Sequence, residues 1–465
     1  MKVSFYGAAG MVTGSKHLLE TWDGKKILLD CGLFQGGGVD INELNRHFGF
    51  APNEVEHLLL SHAHIDHSGL IPRLVAEGFR GTIWCTPATR DLCEIMLYDS
   101  AFIQENDLKH VNKRRKKRGE TELEPLYTPD DVQQALSMFS IIEYEQEKDL
   151  YPDFSFSFYD SGHIIGSGGI YIRYKEDDWK SLFFTGDIGR PNDLILRNPS
   201  PFPQADAIIC ESTYGDRLHK DRTDQKARLL RTVRETCQMN KGKLLIPAFS
   251  VDRTQELIYL LDQLVSEGEI ENIPVYVDSP LSIKATAVMK QHESYFNPEI
   301  TDYIHKDGDA FAFPNLHYIA NVEESKKLNF KKDPCIIISA SGMAEAGRIK
   351  HHLANNIEDG RNTVLIVGYA TPSSLAGQLR LGEKEVRIFG EDYHVKASVE
   401  IMDEFSAHAD YEEMIEYLKC QNPAKVKQLF LVHGEEDVQE EFKQKLMLEG
   451  FVHIHIPELT DEYEL

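Results

Sequence analysis

The segment Ser61-His62-Ala63-His64-Ile65-Asp66-His67-Ser68-Gly69 directly follows the short apolar run Glu56–Leu60, which is a predicted β-strand. In extended backbone His62 and His64 point to the same side, and a turn then brings Asp66 and His67 to a second position. Imidazole and carboxylate groups suit Zn²⁺ or Mn²⁺. These four side chains supply three ring nitrogens and two carboxylate oxygens, which are more donors than one tetrahedral ion can use, so the segment predicts two metal ions with further ligands from elsewhere.

Three further candidate ligands stand at the ends of predicted strands. They are His163 after Asp160-Ser161-Gly162, Asp187 after Phe183–Gly186, and His433 after Leu429–Val432. Glycine permits the tight turns that present a side chain there, and an aspartate in such a turn can bridge two cations. A lone histidine at a strand end is usually structural or exposed. The HxHxDH pattern directly after a strand therefore carries the prediction of a metal site.

The composition is that of a globular protein: 465 residues, 42% hydrophobic and 27% charged. The formal net charge of -25 excludes nucleic-acid binding over the whole surface, but allows it in a locally positive or metal-containing cleft. The seven cysteines form no CxxC pair, which fits reduced thiols in a cytosol. No apolar run reaches the ~20 residues that span a bilayer, and there is no secretory signal. A cytoplasmic protein without a membrane partner is expected.

The order of predicted elements changes along the chain. Strands and turns dominate the first third. From about residue 205, short apolar runs such as Leu244–Ile246 alternate with helices such as Gln255–Ser266, which is typical of a buried parallel sheet. Near residue 390 strands return, among them His394–Ile401 and Val426–Val432. The pattern predicts a separate α/β domain in the middle of the chain.

Together these motifs resemble the metallo-β-lactamase superfamily and, within it, the β-CASP branch of nucleases, which includes the mRNA 3′-end processing endonuclease. The resemblance rests on SHAHIDHSG, Asp30 in LLDCG, His163, Asp187, Glu211 in ICESTYGD, His408 in FSAHADY and His433 in FLVHGE. It implies an αββα sandwich of class α/β, formed by residues 1–200 and 389–465. The inserted α/β domain, the β-CASP domain, would occupy residues 201–388.

The resemblance also implies a role for each motif residue. Two zinc ions per chain, or manganese, would be bound, one by His62, His64 and His163 and the other by Asp66, His67 and His433, with Asp187 as the bridge. Asp30 would orient ligands without binding metal. The catalytic residues would be Asp66, His408 and Glu211: His408 as general acid for the leaving 3′ oxygen, and Glu211 orienting His408 or the ligands. Alternatively, Glu211 only caps the turn Ser212–Tyr214. Asp410 is expected to fix the tautomer of His408.

The inserted domain would bind the nucleic acid. Hydroxyl groups and free N–H groups at a helix start suit a phosphate, and such groups occur at two strand-to-helix turns, SASGM and PAFSVDRTQE. The candidate RNA-binding residues are Ser339, Ser341, Gly342, Arg348, Lys350, Ser250 and Arg253. Ordinary helix capping explains the same residues equally well. The loop at 368–377 departs from the family's GYQ…GT.G pattern, which affects substrate handling rather than the metal chemistry.

Six consecutive basic residues, Lys113–Arg118, stand out in an acidic chain. They are either a flexible arm that contacts RNA phosphates or a solvated loop between helices.

The sequence therefore predicts a cytoplasmic, two-zinc β-CASP ribonuclease that prefers RNA to DNA. The resemblance also allows single-stranded DNA as a substrate and a homodimer. The short stretch after His433 favours the compact RNA-processing members over the RNase J type. One alternative is a hydrolase of small thioesters or lactams, against which the nuclease-type insertion argues. The other is a non-catalytic RNA-binding scaffold, against which the full set of ligands argues.

Overall fold

The computed structural model describes residues 1–36, 39–219, 224–270, 272–368 and 370–465. The strands, in chain order, are β1 Lys2–Phe5, β2 His17–Glu20, β3 Lys26–Leu29, β4 Val55–Leu59, β5 Thr82–Cys85, β6 Phe139–Ile141, β7 Lys148–Tyr151, β8 Phe154–Asp160, β9 Gly168–Lys175, β10 Trp179–Phe184, β11 Ala207–Glu211, β12 Lys243–Pro247, β13 Val275–Val277, β14 Leu316–Tyr318, β15 Cys335–Ser339, β16 Thr363–Val367, β17 Glu385–Ile388, β18 Glu391–His394, β19 Ser398–Met402, β20 Gln428–Val432, β21 Ile454–His455 and β22 Glu462–Glu464.

The α-helices are α1 Val39–Leu44, α2 Ile65–Ser68, α3 Ile71–Ala76, α4 Pro87–Lys117, α5 Pro129–Leu136, α6 Gln225–Val233, α7 Arg253–Ser266, α8 Pro280–Gln291, α9 Pro298–Asp307, α10 Val322–Phe330, α11 Arg348–Asn356, α12 Leu375–Arg380, α13 Tyr411–Leu418 and α14 Glu436–Leu448. A π-helical segment, Arg234–Met239, continues α6. In the described part of the chain, no helix is both long enough and apolar enough to span a bilayer.

The chain forms two compact units: residues 1–218 with 408–465, and residues 219–407. The predicted insertion, 201–388, both begins and ends earlier than this second unit. Strand pairing explains the difference. Strand β11 pairs with β10 and β20 and so belongs to the first unit, whereas β19 pairs with β16 and so belongs to the second.

The first unit is a sandwich of two seven-stranded sheets. Their strand orders are β22-β1-β2-β3-β4-β5-β6 and β21-β20-β11-β10-β9-β8-β7. Aromatic side chains from both sheets form one core, among them Phe5, Phe156, Phe184 and Phe430. The outer face of the second sheet packs on α13 and α14, and helices α3, α4 and α5 pack together on the other side, α4 against β6. The predicted αββα class is confirmed.

Parallel strands explain why the candidate ligands gather. In the first sheet β3, β4 and β5 are parallel, and in the second sheet β10, β11 and β20 are parallel. The carboxyl ends of parallel strands meet at one edge of a sheet. Asp30 follows β3, His62 comes shortly after β4, Asp187 follows β10 and His433 follows β20.

The second unit contains a six-stranded sheet in which every pair is parallel, with the order β14-β13-β15-β12-β16-β19. The run predicted as one strand, His394–Ile401, is in fact divided between two sheets. Its first residue ends β18, which pairs with β17 in a hairpin, and its second half forms β19. Both halves have β-forming sequence, so the break between them is set by their different partners.

The basic run is not a loop. Residues 113–117 form the last turns of α4, and Arg118 caps its carboxyl end. The prediction of a flexible arm or an inter-helix loop is therefore wrong in its conformation. Lys and Arg are good helix formers, and cations are favoured at the carboxyl end of a helix.

Candidate metal centre

Three imidazoles and one carboxylate converge at the edge of the sandwich. Nδ1 of His64 lies 3.2 Å from Nε2 of His62 and 3.2 Å from Nε2 of His163. Oδ2 of Asp187 lies 3.4 Å from the same nitrogen of His62 and 3.3 Å from that of His163. All four donor atoms are within 4.8 Å of one another. Three nitrogens and one oxygen are a donor set that suits a tetrahedral divalent cation.

A second group adjoins the first. Nε2 of His67 lies 3.2 Å from Nε2 of His433, which lies 3.5 Å from Oδ2 of Asp66. The other oxygen of Asp187, Oδ1, lies 3.2 Å from Nε2 of His67. This buried oxygen has no hydrogen-bond partner among the described residues. The two oxygens of Asp187 thus face two different groups of donors, which is the arrangement that a bridging carboxylate requires.

The protonation states of the first group suit metal binding. Burial lowers the pKa of His64 to about 4 and holds the pKa values of His62 and His163 well below the ordinary value. These three imidazoles are therefore neutral at pH 7, which is the form that binds a metal ion. The residues of both groups fit divalent cations by donor type and by convergence, and those of the first group fit by protonation state as well.

Asp30 makes contacts that match its predicted supporting role. Its Oδ2 accepts a hydrogen bond from Nδ1 of His67 at 2.7 Å, which directs Nε2 of that ring to the donor group. Both oxygens also accept from Ser61, through its backbone N–H at 2.8 Å and its hydroxyl at 2.9 Å. Within the described residues Asp30 is a member of no group of converging ligand atoms.

Two orienting hydroxyls were missed by the sequence analysis. Oγ of Ser61 lies 3.0 Å from Nδ1 of His62, and Oγ1 of Thr213 lies 3.0 Å from Nδ1 of His433. Thr213 also donates to the backbone carbonyl of His433 at 3.1 Å. Serine and threonine are too common for such contacts to stand out. The only signal was their position next to His62 and two residues after Glu211.

The backbone at the site takes up left-handed conformations. Gly162 precedes His163 with φ 66°, and Gly186 precedes Asp187 with φ 55°. A side chain at Gly186 would also lie 2.7 Å from Cβ of Ser61. His433 itself has φ 55°, a conformation that costs ~1–3 kcal/mol for a residue with a side chain. The surrounding fold stabilises this backbone conformation, and with it the imidazole of His433 lies among the donor atoms of the second group.

His408 stands beside the donor groups with a carboxylate behind it. Its Nδ1 lies 3.2 Å from both oxygens of Glu211 and 3.9 Å from Oδ2 of Asp187. Burial opposes protonation, but the charges of Glu211 and Asp187 outweigh it and raise the pKa of His408 to about 9. Atoms of these three residues also lie within 4.8 Å of one another, so geometry alone allows His408 either to donate a proton or to bind metal.

Glu211 makes contacts that are compatible with each of its two predicted roles. It contacts His408 and also accepts from the backbone N–H groups of Ile188 at 2.5 Å and Thr213 at 3.4 Å. Asp410 caps α13 instead, by accepting from the N–H of Glu413 at 3.0 Å. The carboxylate of Glu413 in turn binds the buried guanidinium of Arg190. The carboxylate at Nδ1 of His408 is therefore that of Glu211.

The candidate RNA-binding serines lie at the carboxyl edge of the parallel sheet in the second unit, and each makes an internal contact. Oγ of Ser250 lies 3.3 Å from Oγ of Ser279, Ser339 donates to the carbonyl of Asp278 at 2.8 Å, and Ser341 donates to the carbonyl of Ala346 at 3.5 Å. Gly342 lies close to Phe249, because a Cβ at Gly342 would be 2.7 Å from that ring. These contacts are not the predicted helix caps, because α7 follows Asp252 and α11 follows Gly347.

The three basic candidates are engaged within the second unit. Arg348 binds Asp278 at 2.6 Å and the carbonyls of Ile319 and Ala320. Arg253 is buried, pairs with Glu256 and lies over the ring of Phe405. Lys350 donates to the carbonyl of Glu345 at 3.2 Å.

The structure describes only part of the divergent loop at 368–377. Tyr369 lies outside the described residues. After it, Ser374 caps α12 by accepting from the N–H of Gly377 at 3.1 Å. The serine that departs from the family pattern therefore begins a helix.

Family models match three parts of the chain. Residues 18–198 match a metallo-β-lactamase superfamily domain, residues 254–379 match a Beta-Casp domain, and residues 392–457 match a Zn-dependent metallo-hydrolase RNA specificity domain.

Curated relatives match almost the whole chain. A ribonuclease of Thermus thermophilus is 34% identical over 439 residues, which cover 94% of each chain. An RNase J-like protein of Methanocaldococcus jannaschii is 30% identical over 93% of this chain and 92% of its own length. The transcription termination factor FttA of Methanosarcina mazei is 28% identical over 97% of this chain and 70% of its own.

Proposed function

We propose that this chain, which belongs to the β-CASP branch of the metallo-β-lactamase superfamily, is a two-zinc ribonuclease that hydrolyses phosphodiester bonds of RNA. Its domains would be the sandwich as the metallo-β-lactamase part and residues 219–407 as the β-CASP part. Cleavage would serve RNA processing or decay in the cytoplasm. Single-stranded DNA and a homodimer are extensions that the proposal allows.

One observation carries this proposal. Two groups of metal-ligand atoms share the two oxygens of Asp187, and a histidine backed by a carboxylate lies beside them. Hydrolysis of a phosphodiester needs both parts: stabilisation of charge on the phosphoryl group and a proton for the leaving oxygen.

We assign the first cation to His62, His64 and His163 and the second to Asp66, His67 and His433, with Asp187 between them. When bound, two divalent cations polarise a phosphoryl oxygen and lower the pKa of water. The chain keeps the donors in place: Asp30 and Thr213 each hold Nδ1 of one ligand histidine, so that Nε2 faces the site.

We assign the proton transfer to His408. The carboxylate of Glu211 accepts the hydrogen on Nδ1, which fixes the ring orientation and leaves Nε2 to carry the proton that the leaving 3′ oxygen needs. In the metal-free chain the pKa of His408 is raised to about 9, chiefly by Glu211, which favours the protonated ring that a general acid requires. Glu211 stabilises the cationic ring and would act only through it.

RNA is the proposed substrate because of the relatives and the domain matched by residues 392–457. Those relatives bear the names ribonuclease and RNase J-like protein, and that domain model is one for RNA specificity. Within the second unit we propose the carboxyl edge of the parallel sheet, with Ser250, Ser339, Ser341 and Gly342, as the place where phosphates bind.

The test combines metal analysis with digestion of one RNA labelled in turn at either end. We expect close to two zinc ions per chain and RNA products whose lengths reveal endonucleolytic or exonucleolytic cleavage. A thioester and a β-lactam are assayed in parallel. Metal-free protein that takes up neither zinc nor manganese would contradict the metal assignment. Hydrolysis of the thioester or lactam without cleavage of RNA would contradict the substrate.

A further inference from the structure

Helix α4 changes character along its 31 residues. Its first half is packed into the first unit, and Leu92, Leu97 and Ala101 are fully buried. From Phe102 onward large apolar side chains lie in solvent: Phe102 is 62% exposed and Ile103 is 42% exposed. One face of the outer half of α4, residues 102–117, is therefore exposed, whereas the segment 119–126 returns along another face, where Asn112 bonds the backbone of Leu123 and Gln104 accepts from the N–H of Leu126.

One face of this outer half carries a regular row of side chains. Phe102, Lys109, Lys113 and Lys117 are all exposed, and at 3.6 residues per turn they fall within ~40° of the direction of Lys113. At 1.5 Å per residue the row spans ~22 Å, with its lysines ~6 Å apart. We call these four residues the lysine row.

The lysines of the row differ in their partners from the basic residues beside them, and Nζ of Lys109 donates to the side-chain oxygen of Asn106 at 3.2 Å. Between Lys113 and Lys117 in the chain, Arg115 and Lys116 pair with Glu120 and Glu122, at 3.1 and 3.9 Å. By contrast, no residue that the structure describes forms an ion pair with a lysine of the row. Cations in the last turn are favoured by the helix dipole, but that effect does not reach Lys109 or account for an exposed phenylalanine. In a chain of net charge -25, this row is therefore a local surface of positive charge.

We propose that the lysine row binds the backbone of a single RNA strand outside the cleavage site, with Phe102 as a platform for one base; this inference rests on the proposed function. Evenly spaced ammonium groups contact successive phosphates, and an aromatic ring stacks on any base, so the surface grips RNA without regard to sequence. The row would hold long substrates while cleavage takes place elsewhere in the chain.

The experiment measures binding of the full chain to a 30-nucleotide unstructured phosphorothioate RNA over a range of salt. The row variant is Lys109→Gln, Lys113→Gln, Lys117→Gln. The control variant, Lys241→Gln, Lys327→Gln, Lys332→Gln, removes the same charge from exposed lysines near the amino ends of β12 and β15, whereas Ser250 and Ser339 lie at the carboxyl edge of that sheet. The loss of three phosphate contacts should reduce the slope of the logarithm of the binding constant against the logarithm of the salt concentration by ~2. When the salt concentration is raised from ~50 to ~200 mM, the RNA affinity of wild type and of the control variant should thus fall about 20-fold more than the RNA affinity of the row variant.

Phe102→Ala separates stacking from charge. Its side chain is mostly in solvent, so the variant should fold normally and weaken RNA binding by about fivefold or more with the salt slope unchanged. A row variant with the salt slope of the control overturns the inference, even if wild type cleaves RNA as proposed. Equal loss of polyglutamate binding also overturns it, because the row would then take any acidic polymer. If wild type neither binds nor cleaves RNA, both proposals fail.

Discussion

Replacing His408 and His433 one at a time should separate proton transfer from metal binding. The two rings lie 5.8 Å apart, centre to centre, and both contact Asp187, so proximity alone does not assign their roles. We expect His408→Ala to keep two metal ions and to bind RNA, while His433→Ala loses one ion. Each ring is followed in the chain by a small residue, Ala409 or Gly434, and the two substitutions are chemically the same.

The sizes of the two effects follow from the contacts. His408 has Glu211 at its Nδ1, so as a general acid it contributes ~10²–10⁴ to the rate, or about 3–5 kcal/mol of barrier. His433 supplies one of the three donors that share the second group with Asp187. Loss of a mere orienting partner weakens metal binding by ~10–100-fold, and loss of a donor should exceed this range.

Glu211→Gln sharpens the assignment through a double-mutant cycle. The amide keeps the size of the side chain but loses the charge that stabilises the cationic ring of His408. If Glu211 acts only through His408, the single variant is slow, and adding Glu211→Gln to His408→Ala slows cleavage no further.

The assay pairs elemental analysis, after dialysis against a weak chelator, with single-turnover cleavage of one RNA at saturating protein. Single turnover removes product release from the measured rate. If His408→Ala loses a metal ion while His433→Ala keeps two, the roles are reversed and the reasoning fails. Independent, multiplying effects of Glu211→Gln and His408→Ala would refute the positioning role of Glu211.

Three further substitutions test the surroundings of the site. Asp30→Asn should weaken binding of one metal ion by ~10–100-fold, because it removes the charge at Nδ1 of His67; unchanged affinity in a zinc titration would argue against it. Gly32→Ala should lower both thermal stability and metal content, since its Cβ would lie 1.6 Å from the carbonyl oxygen of Asp66; a variant with the melting temperature and zinc of wild type would show that the backbone can move. Burial lowers the pKa of His17 to about 3, so below pH 6.5 the unfolded chain binds a proton that the folded chain does not. The free energy of unfolding therefore falls by up to ~1.4 kcal/mol for each unit by which the pH is lowered. His17→Leu should remove that part of the slope in urea unfolding of metal-free protein between pH 5 and 6.5, and an identical slope would contradict the assignment.

Local patterns allowed much of the centre to be predicted from the sequence. His62, His64, Asp66 and His67 lie within one short segment after β4, so their grouping needs no long-range contact. His163, Asp187 and His433 follow strands, and strand ends are recognisable from apolar runs and adjacent glycines. The family and the αββα class followed from these motifs and are confirmed.

What the sequence by itself determined is therefore the set of candidate donor side chains, because four of them lie in one short segment and the other three follow recognisable apolar runs. Only the tertiary structure decided which oxygen of Asp187 faces which group, and that Thr213 and Ser61 hold ligand rings. It also decided that β11 belongs to the sandwich and that the basic run is helical. Strands β11 and β12 are both buried apolar runs. The sheet that each of them joins therefore depends on strands far away in the chain. Packing over the whole fold determines which strands pair, and a local pattern of residues does not contain that information.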